Sequence, residues 1–226
     1  MTMQRIGGLA ALACAATYIF GFVLLVTVMA EAGFGSSAIE AAEVVRFTVE
    51  NQALMITWNT VIYIVNALVL AVLVVALARQ LKHTSPDWST MSLGFGLVWT
   101  TLVLGAGMIG NVTTERVVAL APTDFENAVQ TWEVLHAVEL GLGGGNEIAG
   151  GVWILCVSLA GLLHRTFGKV VIALGLLTGL GGLLTIFPPL GDVTGAVFGL
   201  GAIAWFIAVG LALLFKPDLS AAPPPA

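Results

Sequence analysis

Glu133, His136, Glu139, Asn146 and Glu147 form the one chain of ionisable and amide side chains that runs into an otherwise apolar stretch of this sequence. On a helix advancing ~100° per residue they share a face about 140° wide, together with Gly143 and Gly150. Leu135, Leu142, Ile148, Val152 and Trp153 fall on the rest of that helix. A carboxylate and an imidazole one turn apart, as in Glu133 and His136, can hold a metal ion in the manner of carboxylate-rich helix bundles, with Glu139 extending the row. The same acids can instead hold a small cation or a polar solute. A carboxylate set singly into hydrocarbon is unfavourable, so Glu147 needs a partner, a proton or water.

The elements that position these groups must be membrane helices. With 58% hydrophobic residues, 9% charged residues and a mean hydropathy of +1.02, the bilayer is the solvent. A hydrocarbon core of ~30 Å needs about 20 apolar residues per helix. Six runs satisfy this, at about 6–30, 54–78, 91–114, 137–163, 168–187 and 193–215. The predicted fold is an all-α, six-helix transmembrane bundle, a single domain over 1–219 with a disordered tail at 220–226. The run after Arg5 is longer than the ~7 to 15 residues of a signal segment, which predicts a retained first helix.

Six crossings bring both termini to one side. Arg5, Arg79, Lys82, Arg165, Lys169 and Lys216 fall on that side and only Arg46 and Arg116 opposite, so the termini are predicted to be cytoplasmic. All of the thirteen acidic residues except Asp87 and Asp218 then lie in outer loops or outer helix halves. An electronegative outer face suits cations, and no basic patch offers itself to nucleic acid. The lipid bilayer is the one partner the composition requires.

Counting from the helix ends gives the depths. Trp58 and Asn59 open the second helix at its outer boundary, and Asn66 lies deeper, where an amide serves as glue between helices. Asn111, Thr114 and Glu115 cluster on the third helix beside Arg116. Thr123 and Glu126 have capping-box spacing, so the fourth helix is predicted to start near Phe125 and to run unbroken through Gly143-Gly144-Gly145, although a break there is the sharper alternative. An amphipathic segment at 38–50 is predicted on the outer surface. The result is an outward-facing pocket between the second, third and fourth helices, lined by Trp58, Asn59, Asn111, Glu115, Arg116, His136, Glu139, Asn146 and Glu147. Glu147 is its central acid, and Arg116 is the expected partner of Glu115, Glu139 or Glu147.

Binding or transport of a small cation or polar solute is the leading reading. An assembly subunit that docks other membrane chains through glycine-rich faces, such as Gly175/Gly179, Gly191/Gly195 and Gly195/Gly199, is an alternative. A membrane metalloenzyme using Glu133, His136 and Glu139 is another; no other cofactor is suggested. Cys14 and Cys156 fit no disulfide or metal spacing, and no nucleophile elbow, phosphate loop or intramembrane lysine is present. Arg5-x-x-Gly8, Glu50-Asn51-Gln52 and Gly145-Asn146-Glu147 resemble motifs of an uncharacterised bacterial multi-pass membrane family, the domain of unknown function numbered 4386. That resemblance covers most of the chain and implies six helices in a bacterial inner membrane; the extension with Glu133 and His136 departs from it.

Overall fold

Hydrocarbon offers nothing for a free backbone N–H or C=O to bond, so a chain this apolar satisfies its own backbone in helices. The computed structural model describes residues 2–30, 40–144 and 147–215, and among these it contains helices and no strand. α1 (Met3–Leu24) runs into a π-helical turn at Leu25–Met29. α2 (Ala41–Glu50) and α3 (Gln52–Asn59) follow, and a second π-helical turn at Thr60–Val65 joins α3 to α4 (Asn66–Lys82). α5 is Pro86–Leu120, and α6 (Phe125–Glu139) passes into a third π-helical stretch at Leu140–Gly144. α7 (Ile148–His164), α8 (Lys169–Leu184), a 3-10 turn at Pro188–Leu190 and α9 (Gly191–Phe215) complete the described chain.

Among the described residues, five stretches are long and apolar enough to cross a membrane: Met3–Met29, Gln52–Lys82, Pro86–Leu120, Phe125–His164 and Pro188–Phe215. These mark a multi-pass membrane protein. α8, apolar but 16 residues long, spans about 24 Å at ~1.5 Å per residue, short of the ~30 Å core.

Helix ends depart from the hydropathy limits for identifiable reasons. The stretch Gln52–Lys82 that α4 completes, and α5, extend past 54–78 and 91–114 at both ends, because the hydrogen-bond ladder continues through polar flanks that hydropathy does not count. Arg79 and Lys82 complement the C-terminal end of α4, and Pro86 opens α5 at a position where no N–H is needed. The cap of α6 is Asp124 rather than Thr123: Asp124 Oδ1 accepts from the Asn127 N–H at 3.0 Å, while the Thr123 hydroxyl donates back to Leu120 O at 3.2 Å. α2 begins at Ala41, and 38, 39 and the tail 220–226 lie outside the described residues. The fourth helix is not continuous, because Gly143 has φ 133°, left-handed backbone that glycine tolerates and an α-helix cannot contain.

The chain groups into two compact units, with divisions inside α1, α4 and α5. The first comprises Met1–Ala16, Leu68–Thr101 and Asn146–Ala226. Its centre is aromatic. Trp99, Trp153, Trp205, Phe198 and Phe206 are all at most 1% exposed. Trp99 lies 5.5 Å from Trp153 and 6.3 Å from Phe206, nearly parallel to the latter, and Trp153 meets Trp205 edge-on at 5.4 Å. Gln4 ties three helices together: its Nε2 donates to Leu213 O at 2.9 Å, and its Oε1 accepts from Gln80 Nε2 at 2.9 Å.

Backbones in this unit approach closely at glycines. A Cβ on Gly151 would stand 2.8 Å from both Gly179 O and Leu183 N, backbone atoms of α8 that cannot step aside. Gly151→Ala is therefore expected to lower unfolding stability by ~1–3 kcal/mol. Gly94, exposed with nothing within 4 Å, should gain up to ~1 kcal/mol as alanine from helix propensity; reversible unfolding in mixed micelles reads both. Of the spacings singled out in the sequence, Gly175 and Gly179 pack on Ser158 and Leu155 of α7, whereas Gly191 and Gly195 meet nothing within 4 Å.

The second unit comprises Thr17–Ala67 and Leu102–Gly145. Val45 of α2, Val117 of α5 and Ala128 of α6 are fully buried together, with Leu120, Phe125, Val129 and Trp132 packed around them. The apolar side of α2 is thus used on its own chain. Arg46 pairs with Glu43 and lies over the Phe125 ring at 5.5 Å. Asn66 Nδ2 donates to Thr17 Oγ1 at 2.6 Å, the interhelical bond its depth suggests.

Candidate binding cavity

A cavity of about 130 Å³ lies wholly within the second unit. α2 contributes Thr48; α3 contributes Met55, Trp58 and Asn59; the π-helical turn after it contributes Tyr63. Gly110, Thr113 and Thr114 come from α5, and Trp132, His136 and Glu139 from α6. The rim of π-helical turns matters, since one surplus residue re-aims the side chains on either side of it by ~100°. Asn59 and Tyr63 flank or occupy one such turn, and Glu139 immediately precedes another.

Close approach of α5 shapes one wall. A Cβ on Gly107 would fall 2.5 Å from Tyr63 Cβ, and one on Gly110 would fall 2.9 Å from Asn59 Nδ2. Trp58 is fixed by donating its indole N–H to Gly21 O at 3.2 Å and by an edge-on contact with Tyr63 at 6.2 Å. Trp132 is held by the ring of His136, stacked at 4.5 Å and 19°.

The polar groups divide into committed and uncommitted ones. Thr113 and Thr114 donate their hydroxyl protons to Ile109 O and Gly110 O, and so are spent on their own helix. His136 Nδ1 lies 3.3 Å from Glu139 Oε2, which accepts from it when that nitrogen carries the proton. Glu139 has 12% of its side chain exposed and His136 35%, so the carboxylate is the deeper of the two. Thr48 Oγ1 is buried with no hydrogen-bond partner, and Asn59, 4% exposed, has no side-chain partner among the described residues. The Asn59 carboxamide and the Glu139 carboxylate border the same space, so both can meet an occupant there.

Of the sequence-derived site residues, Trp58, Asn59, His136 and Glu139 line this cavity. Asn111 lies outside the lining, and its Nδ2 donates to Thr60 Oγ1 at 3.0 Å. Glu115 and Arg116 are exposed, and Arg116 makes no ion pair with Glu115 or Glu139; it borders a separate open groove with Asn127, Gln130 and Thr131. Glu133 is exposed on α6, and among the described residues no three His, Cys, Asp or Glu side chains are grouped to hold a metal ion. Glu147 belongs to the first unit, where it precedes α7 and its N–H donates to Thr185 Oγ1 at 3.2 Å. Asn146 lies outside the described residues.

Thr48, Tyr63 and Trp132 are lining residues that sequence reasoning passed over. Thr48 had a signal: it follows Val44 and Val45 on the buried face of α2, a polar group where the amphipathic pattern calls for an apolar one. Trp132 sits one turn before His136.

Fold and site together define an all-helical multi-pass membrane protein with a small polar cavity in its second unit. No family model, curated protein or solved structure matches the chain.

Proposed function

We propose that this protein binds a small cation or polar solute in the cavity of its second unit. The observation that carries this reading is the Glu139 carboxylate, 12% exposed, lining a cavity together with the Asn59 carboxamide. In that reading α8 supplies a sixth crossing, both termini are cytoplasmic as the lysine and arginine distribution favours, and the cavity faces outward. The resemblance to the bacterial family supports placement in a bacterial inner membrane.

A ligand that binds only the folded state stabilises it by about 2.7 kcal/mol at a hundred times its Kd. The purified chain in detergent is expected to unfold at a higher temperature with at least one member of a panel of simple salts, amines and uncharged polar solutes. Glu139→Gln and Asn59→Ala should each diminish that gain. A panel without any stabilising member, or a gain that both variants keep in full, rejects the cavity as the site.

A further inference from the structure

We propose, building on the reading of the cavity as a binding site, that its occupant is a small organic ammonium ion, a protonated primary amine of a few heavy atoms. Volume sets the size. About 130 Å³ is room for about four water-sized groups at ~30 Å³ each, and is well below the ~300–1,000 Å³ of sites for larger metabolites.

Charge sets the sign. Among the described residues no lysine or arginine lines the cavity, and Glu139 is its one carboxylate. An anion would meet repulsion there. The lining then selects among cations. Hard metal ions take six or more oxygen ligands, or hold a nearly ideal octahedron, and one carboxylate with two neutral polar side chains is far from such a cage. A primary ammonium instead offers three N–H donors. The cavity offers two acceptors to them, Glu139 Oε1, which has no partner among the described residues, and the Asn59 carboxamide oxygen, and its open side leaves the third N–H to water.

The aromatic lining agrees with an organic rather than a hydrated inorganic ion. Trp58, Tyr63 and Trp132 border the space, and an ammonium over such a ring is attracted by its negative face while its carbon atoms pack against the apolar surface. His136 is the other titratable group facing Glu139, from one turn earlier on the same helix; it occupies Oε2 and leaves Oε1 to the ligand.

Isothermal titration calorimetry of the full chain in detergent tests the assignment with methylammonium, tetramethylammonium, sodium and magnesium chlorides and with urea. Saturable binding of methylammonium at least tenfold tighter than that of the others is expected, weakened at least tenfold by Glu139→Gln and severalfold by Asn59→Ala and Trp132→Phe. Equal or tighter binding of sodium, magnesium or urea that still depends on Glu139 overturns the ligand class and leaves the cavity a binding site. Tetramethylammonium, which has no N–H, binding as well as methylammonium overturns the hydrogen-bonded arrangement. Methylammonium binding unchanged in all three variants, or no binding by any probe, overturns the assignment to this cavity. Asn59→Ala keeps the outcome decisive if Glu139→Gln does not fold.

Discussion

Trp99→Ala is expected to lower the unfolding free energy by about 3 kcal/mol, as the deletion of a large buried side chain leaves a void that a packed interior does not close. The indole is 1% exposed and meets Trp153, Phe198 and Phe206 at centroid distances of 5.5, 5.9 and 6.3 Å. In a bilayer the gain on helix association comes from packing, because lipid tails are as apolar as the protein interior. The relevant term is then the cavity alone, and ~24 cal/mol per Å³ over a lost volume on the order of 140 Å³ gives about 3 kcal/mol. Trp99→Phe separates packing from hydrogen bonding. The Trp99 indole N–H has no partner among the described residues, so the phenylalanine variant forfeits only volume and is expected to lose less than half as much. Reversible unfolding in mixed micelles measures both variants; a loss below about 1 kcal/mol for the alanine variant would mean that this aromatic cluster does not hold the first unit together.

Gly110→Ala is expected to abolish binding in the cavity while leaving the fold nearly intact. The new methyl would stand 2.9 Å from Asn59 Nδ2 and 3.1 Å from its Cγ, closer than real contacts allow. The carboxamide must yield, and the open volume beside it gives it somewhere to go. It moves into the space a ligand needs, so affinity for methylammonium should fall at least tenfold, whereas stability should change by no more than about 1 kcal/mol, since alanine adds helix propensity that offsets the crowding. Gly105→Ala, whose Cβ would make an ordinary 3.7 Å contact with Leu142, is the matched control on the same helix. Retained affinity in the Gly110 variant would place the binding event elsewhere.

The helical, multi-pass character was legible in composition because one physical fact, an apolar solvent, governs it. Element limits were less so. The polar flanks of α4 and α5 are helical because backbone hydrogen bonding continues where hydropathy stops, and Asp124 displaced Thr123 as the cap through a single side-chain bond to the Asn127 N–H. In the site, Trp58, Asn59, His136 and Glu139 could be placed together because each lies on an uninterrupted helical stretch where a constant angle per residue applies. The same count carried on to Asn146 and Glu147 loses its meaning at Gly143, whose φ of 133° discards the rotation accumulated before it. Thr48 and Trp132 stayed hidden for a different reason: neutral side chains acquire a role only from what they face, and facing is a tertiary property.

The surplus residue in the Thr60–Val65 turn makes the inventory of the cavity sensitive to length rather than to identity. Removing one position there would restore ordinary helical winding and swing Trp58 and Asn59 about a quarter-turn or more relative to Tyr63, at ~100° per residue. Among descendants of such a chain, a single codon lost from this segment would exchange the groups presented to a solute without altering any of the residues that now present them. Ligand preference can therefore drift through insertions and deletions, a route that inspection of the lining residues alone would not reveal.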